Sequence, residues 1–120
     1  MQGTEKQIKW AEDLKATHLK VLTNAIAQSA KHMSNEAVED GDLELLVHLD
    51  SDISLRSALL LGFSELKPQP KECIVKLLNA IYKWLDKKDS ASWWIKNGQY
   101  TTAYLVTQFA KTNIKAKKES

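Results

Sequence analysis

The sequence predicts an all-α protein, a compact single-domain bundle of five or six helices. Three observations carry this expectation. Apolar residues recur at three- and four-residue spacings through most of the chain, the periodicity of one helix face. Ser, Thr, Asn and Asp stand just ahead of these segments, where a side-chain oxygen takes up the orphan N–H groups of a helix N-terminus. The four Gly and two Pro of the 120 residues fall at or beyond the ends of the periodic segments.

The first element is the longest. Thr4 followed by Gln7 forms a capping box, and Ile8, Ala11, Leu14, Val21, Leu22, Ala25 and Ile26 form a helical stripe. A helix over about 5–32 is expected, with a bend or break near Thr23–Asn24 as an option because the element is long for so small a domain. Ser34–Asn35 offers a further cap, with Glu36 suited to a first helical turn. After Gly41, Asp42 restarts a helix carrying Leu43, Leu46, Val47 and Leu49. Asp50-Ser51-Asp52 then caps an element with Ile53, Leu55, Leu59, Leu60 and Phe63. Its run Ala58-Leu59-Leu60-Leu61 is apolar all round, which predicts the most buried helix of the fold.

Pro70 suits the opening position of the next helix. Ile74, Leu77, Leu78, Ile81 and Leu85 line one face of it, and Lys87–Lys88 sit where the dipole favours cations. Asp89 or Ser90 caps a short element over Ala91 to Asn97, which Asn97-Gly98 stops. Thr101 or Thr102 starts the last element. Its β-branched residues leave a strand open, but the shared face of Ala103, Val106 and Ala110 favours a helix, and a lone strand has no partner. Residues 1–110 are thus read as the helical domain and 111–120 as a Lys-rich tail that is disordered at its end.

The formal net charge is +2, but it is unevenly distributed. Residues 1–110 hold 13 Lys+Arg and 14 Asp+Glu, and the tail adds four Lys against one Glu. Seven acids with no Lys or Arg among them (Glu36, Glu39, Asp40, Asp42, Glu44, Asp50 and Asp52) make residues 36–52 the strongest local bias. This segment reads either as a solvated turn with helix caps or as a docking face for a protein with a basic surface. A calcium loop is excluded: with Gly41 at the sixth position, Val38 and Val47 fall where ligands are required.

Chemistry-bearing groups are sparse. One Cys cannot form an internal disulfide and suits a reducing compartment. Cys73 lies in the first turn of the Pro70 helix, yet no spacing links it to His18, His32 or His48, and a small half-buried role outweighs a catalytic one. Three His and one Cys make no zinc spacing. His18 reads as a packed or boundary histidine, and His48 among the acids reads as a surface ion pair. No two glycines lie close enough for a phosphate loop. No catalytic, cofactor or metal residue is therefore expected, and no enzyme. No apolar run approaches the ~20 residues of a membrane span. Met1 to Trp10 lacks a signal-peptide core, so a cytoplasmic protein with no membrane partner is expected.

Trp10, Trp84, Trp93 and Trp94 are many tryptophans for this length. Neighbours on a helix point about 100° apart, so Trp93 and Trp94 cannot share a narrow core face. One is expected in the gap between the first helix and the Pro70 helix, the other at the core edge or on the surface. Either both serve packing, or Trp93, Trp94, Tyr100 and Tyr104 include an aromatic contact patch, where Trp is a favoured anchor.

Two motifs carry a resemblance. Thr4-Glu5-Lys6-Gln7-Ile8-Lys9-Trp10-Ala11 resembles an S/T-E-K-Q-I-x-W/Y-A opening, and Ala91-Ser92-Trp93-Trp94-Ile95-Lys96-Asn97 resembles an A-x-W-W-I-D-N-R segment. Both belong to small proteins of bacteria, phages and mobile elements that have no established activity. Lys96 stands where that group has an acid and Gly98 where it has Arg. The resemblance implies a mostly helical domain with the first helix near the Trp-Trp segment. It also implies a setting in which small proteins bind host machinery, including defence systems.

The expected function is a non-enzymatic protein-binding module, an inhibitor or adaptor of phage or mobile-element type. It would act through the acidic 36–52 segment and the aromatic 93–104 region. A homo-oligomer is an open partner state. The alternative is a nucleic-acid-associated accessory protein using the Lys-rich tail with Lys83, Lys87, Lys88 and Lys96, which predicts steep salt dependence. The slightly acidic body disfavours direct duplex readout.

Overall fold

A computed structural model describes residues 3–39, 42–50, 53–61 and 70–114. Six α-helices follow in order: α1 Glu5–Met33, α2 Leu43–Leu46, α3 Leu55–Leu60, α4 Lys71–Asp86, α5 Ala91–Asn97 and α6 Thr102–Phe109. A π-helical turn, Ala110–Ile114, extends α6. The all-α single-domain expectation holds, and the last element is a helix from Thr102 on and not a strand. The far end of the tail, 115–120, lies outside the described residues.

α1 starts on the expected capping box. Gln7 N donates to Thr4 Oγ1 at 3.2 Å, and Thr4 N donates to Gln7 Oε1 at 3.1 Å. The helix runs unbroken through Thr23–Asn24. No Gly or Pro interrupts it, and the Thr23 hydroxyl bonds back to Leu19 O at 2.9 Å, staying within the helix. Its buried face is Ala11, His18, Leu22, Ala25 and Ser29, spaced by sevens, fours and threes. Small residues at three of these positions let neighbouring helices approach closely.

α4 lies antiparallel against α1. Lys71 Nζ reaches Asn35 O at 2.9 Å at one end, and Lys15 Nζ reaches Asp86 O at 2.7 Å at the other. Of the expected α4 stripe, Ile74, Leu78, Ile81 and Leu85 are buried and Leu77 is partly so. The cation at the C-terminal carbonyls of α4 is Lys15 from α1, where Lys87 and Lys88 were expected to serve. Lys88 instead lies over Trp84 and Trp93, at 4.8 and 5.2 Å from their ring centroids.

The connection from α1 to α3 departs most from expectation. Residues 34–39 form turns rather than a helix, with Asn35 Oδ1 accepting from Ala37 N at 3.0 Å. α2 is a single turn, and Val47 is already extended. Residues 47–49 and 53–55 then pair as one antiparallel bridge, His48 to Ser54. The cap of α3 is Ser54, whose Oγ accepts from Ser57 N at 3.2 Å. The expected capping residues were Asp50-Ser51-Asp52. α3 buries Leu55, Ala58 and Leu59 but turns Leu60 and Leu61 outward, so it is not the most buried helix. Gly62 and Phe63 lie outside the described residues.

Ser90 caps α5 and Thr101 caps α6. Gly98 ends α5 with a right-handed φ of −74°, so left-handed freedom is not what it supplies. It supplies space: a Cβ there would sit 2.6 Å from Trp94 O and 3.1 Å from Leu14 Cβ. That gap lets α1 pack against the end of α5. All six helices contribute to one core.

Candidate functional site

The seven acids of 36–52 do not form one face. Glu36, Glu39 and Asp42 are exposed, and Asp40 and Asp52 lie outside the described residues. Glu44 is fully buried, its Oε2 3.4 Å from Arg56 Nη1 of α3. It sits on the inner side of α2, where a carboxylate needs a cation, and it is not available to a partner. Asp50 is half-buried, and its two oxygens accept from Thr102 N at 2.7 Å and Ala103 N at 3.2 Å. It is a capping residue, as its type implies, but for α6, 52 positions further on. We expect Asp50→Ala to lower stability by about 1.5–3 kcal/mol, the range for hydrogen bonds to a charged group. Asp50→Asn should retain part of it. Urea unfolding measures this, and a loss within error for Asp50→Ala would contradict the capping role.

The aromatic region divides in the same way. Trp94 is fully buried, stacks on His18 with centroids 6.1 Å apart, and donates its Nε1–H to Lys88 O at 2.8 Å. It belongs to the core and not to a contact patch. Trp93 is partly buried, edge-on to Trp84 at 6.0 Å and to Trp94 at 4.9 Å. Tyr104 is partly buried and pairs with Tyr100 at 4.6 Å; of the four predicted aromatics only Tyr100 is exposed.

The buried polar centre is one that sequence spacing did not reveal. His18 joins α1 to the end of α5 and the start of α6. Its Nε2 lies 2.7 Å from Gly98 O, an acceptor only, so Nε2 carries the hydrogen. Its Nδ1 lies 2.7 Å from the Thr102 hydroxyl, which is able to donate or to accept. Asp50, Thr102 and His18 thus form a connected chain that ties α1, α5 and α6 together, with Thr102 1% exposed and His18 4%.

His48 and Cys73 are exposed, and His32 is half-buried. Among the described residues no three His, Cys, Asp or Glu are placed to hold a metal ion. Two shallow hollows run along α1. One of about 440 Å³ is lined by Glu5, Lys6, Ile8, Lys9 and Glu12, and one of about 270 Å³ by Glu12, Lys15, Ala16, Leu19 and Asp89. Neither is lined by a histidine or a cysteine. Lys83, Lys87, Lys96 and Lys111 are exposed, and Lys88 is half-buried. Among the described residues no helix is long and apolar enough to cross a membrane.

The feature that stands out is apolar. Leu45 and Leu46 of α2 are 50% and 39% exposed, and Leu60 and Leu61 at the end of α3 are 39% and 68% exposed. α2 and α3 pack together through the Glu44–Arg56 pair and the bridge between them. Met33, ending α1, is 40% exposed. The signal was present in the sequence as adjacent leucines on short helices, which cannot all turn inward.

No protein-family model matches the chain, and neither curated proteins nor solved structures give a match. The functional reading therefore rests on this geometry.

Proposed function

We propose that the chain is a non-enzymatic protein-binding module whose contact surface is the outward side of α2 and α3. The observation that carries this reading is the set of four exposed leucines, Leu45, Leu46, Leu60 and Leu61, on two helices packed together. Exposed apolar side chains gathered on neighbouring elements mark interaction surfaces more often than scattered ones do. The buried placement of His18 and Thr102 supports a structural rather than a chemical use of the polar chain that they form with Asp50. The resemblance of two short motifs to those of small phage and mobile-element proteins supports a cytoplasmic inhibitor or adaptor of host machinery, defence systems included. Of the acidic segment, Glu36, Glu39 and Asp42 remain as contact residues. Of the aromatic region, Tyr100 remains.

The test compares the intact chain with Leu45→Ser/Leu60→Ser in affinity capture from host lysate, after circular dichroism has established equal helicity. The reading expects a discrete partner retained by the intact chain and lost by the variant. Identical capture by both would overturn it.

A further inference from the structure

Resting on that reading, the structure assigns the α2–α3 surface a specific kind of occupant: a basic amphipathic α-helix of another protein. The apolar part of the surface, Leu45, Leu46, Leu60 and Leu61, calls for a partner with its own apolar stripe. The charge around it sets the sign of the flanks. Between Ser34 and Leu61 the only Lys or Arg in the sequence is Arg56, whose guanidinium is directed at the buried Glu44, and Lys71 of α4 reaches the start of the segment at Asn35 O. Glu36, Glu39 and Asp42, on the segment leading into α2, are all exposed. A helix laid on the leucines with Lys or Arg along its edge meets carboxylates there, whereas an acidic helix meets like charge.

A helix fits better than an added strand. Residues 47–49 and 53–55 are extended beside the leucines and pair with each other. The outer edge of 47–49 is closed, with His48 N donating to Gln28 Oε1 at 2.9 Å and Gln28 Nε2 donating to His48 O at 3.1 Å, and Ser54 O on the other segment accepts from Ala58 N at 3.1 Å. The side-chain amide of α1 stands where the backbone of an incoming strand would bond, which disfavours strand addition and leaves the apolar docking of a helix. A second copy of the chain is a poorer match. Its lysine-bearing α4 face presents Lys76, Lys83 and Lys87 around Asn79 and Ala80, with no exposed apolar stripe. Its Lys-rich tail has Ile114 as its single large apolar residue.

Three labelled synthetic helices of ~18 residues, five turns, serve as probes: a Leu/Lys amphipathic peptide, a Leu/Glu peptide of the same pattern, and a scrambled Leu/Lys peptide. Fluorescence anisotropy with the full chain should show the Leu/Lys helix binding best. Leu45→Ser/Leu60→Ser should weaken it by about tenfold or more, since two apolar anchors are lost at once. Charge reversal by Glu36→Lys/Glu39→Lys/Asp42→Lys should move the preference to the Leu/Glu helix. Equal binding of the patterned and scrambled Leu/Lys peptides, or a preference unmoved by charge reversal, overturns the inference. So does sedimentation showing a dimer that Leu45→Ser/Leu60→Ser dissociates, because the leucines would then be covered by a second copy. If lysate capture depends on the leucines while the peptides show no preference for basic flanks, this inference falls and the binding-module reading stands. If capture ignores the leucines, that reading falls first.

Discussion

Trp94→Ala should destabilise the protein by about 3–5 kcal/mol, the cost of emptying a large aromatic site in a packed core. Trp94 is fully buried, touches Trp93 edge-on and lies flat against His18. Removing it opens a void between α1 and α5 and leaves Lys88 O without its indole donor. A small domain has roughly 5–15 kcal/mol to lose, so the variant should unfold at much lower urea with an unchanged slope. Trp94→Phe separates the contributions. It keeps an aromatic ring against His18 but not the Nε1–H, and should lose less. Equal losses for Ala and Phe would mean that the hydrogen bond, not the packing, carries the effect.

Arg56→Met should be nearly as costly, about 3–5 kcal/mol, the range for removing one partner of a buried ion pair. Glu44 is 0% exposed, and the Arg56 guanidinium, its side chain 24% exposed, lies 3.4 Å from it. The informative measurement is the double substitution. Glu44→Met/Arg56→Met removes both charges and fills the space with apolar volume, so it should recover most of the stability lost by Arg56→Met alone. A double variant no more stable than the single would show that the pair holds α2 to α3 through geometry and not through charge compensation.

What could be read in advance was local in origin. Thr4, Gln7 and the stripe from Ile8 to Ile26 lie within a few turns of one another, so α1 was legible to within a residue at its end. The same holds for the α4 stripe and for the caps Ser90 and Thr101. That one of Trp93 and Trp94 is core and the other edge followed from the 100° between neighbours. Which of them faces inward did not, because it depends on where His18 and Lys88 O stand. The acidic segment failed for a related reason. Seven carboxylates in 17 positions look like one surface until the partners are known, and those of Glu44 and Asp50 are Arg56 and the first amides of α6. Ser54 caps α3, and Asp50 caps a helix that the local sequence does not contain.

Thr102 ties these long-range choices together. It meets His18 across 84 positions and Asp50 across 52. As the chain is synthesised, both earlier residues must wait for nearly all of the domain to emerge before either finds its match. The ties that Thr102 makes between α1, α6 and the Asp50 segment therefore form only after residue 102 has been made, whereas the α1–α4 pairing needs nothing beyond residue 88.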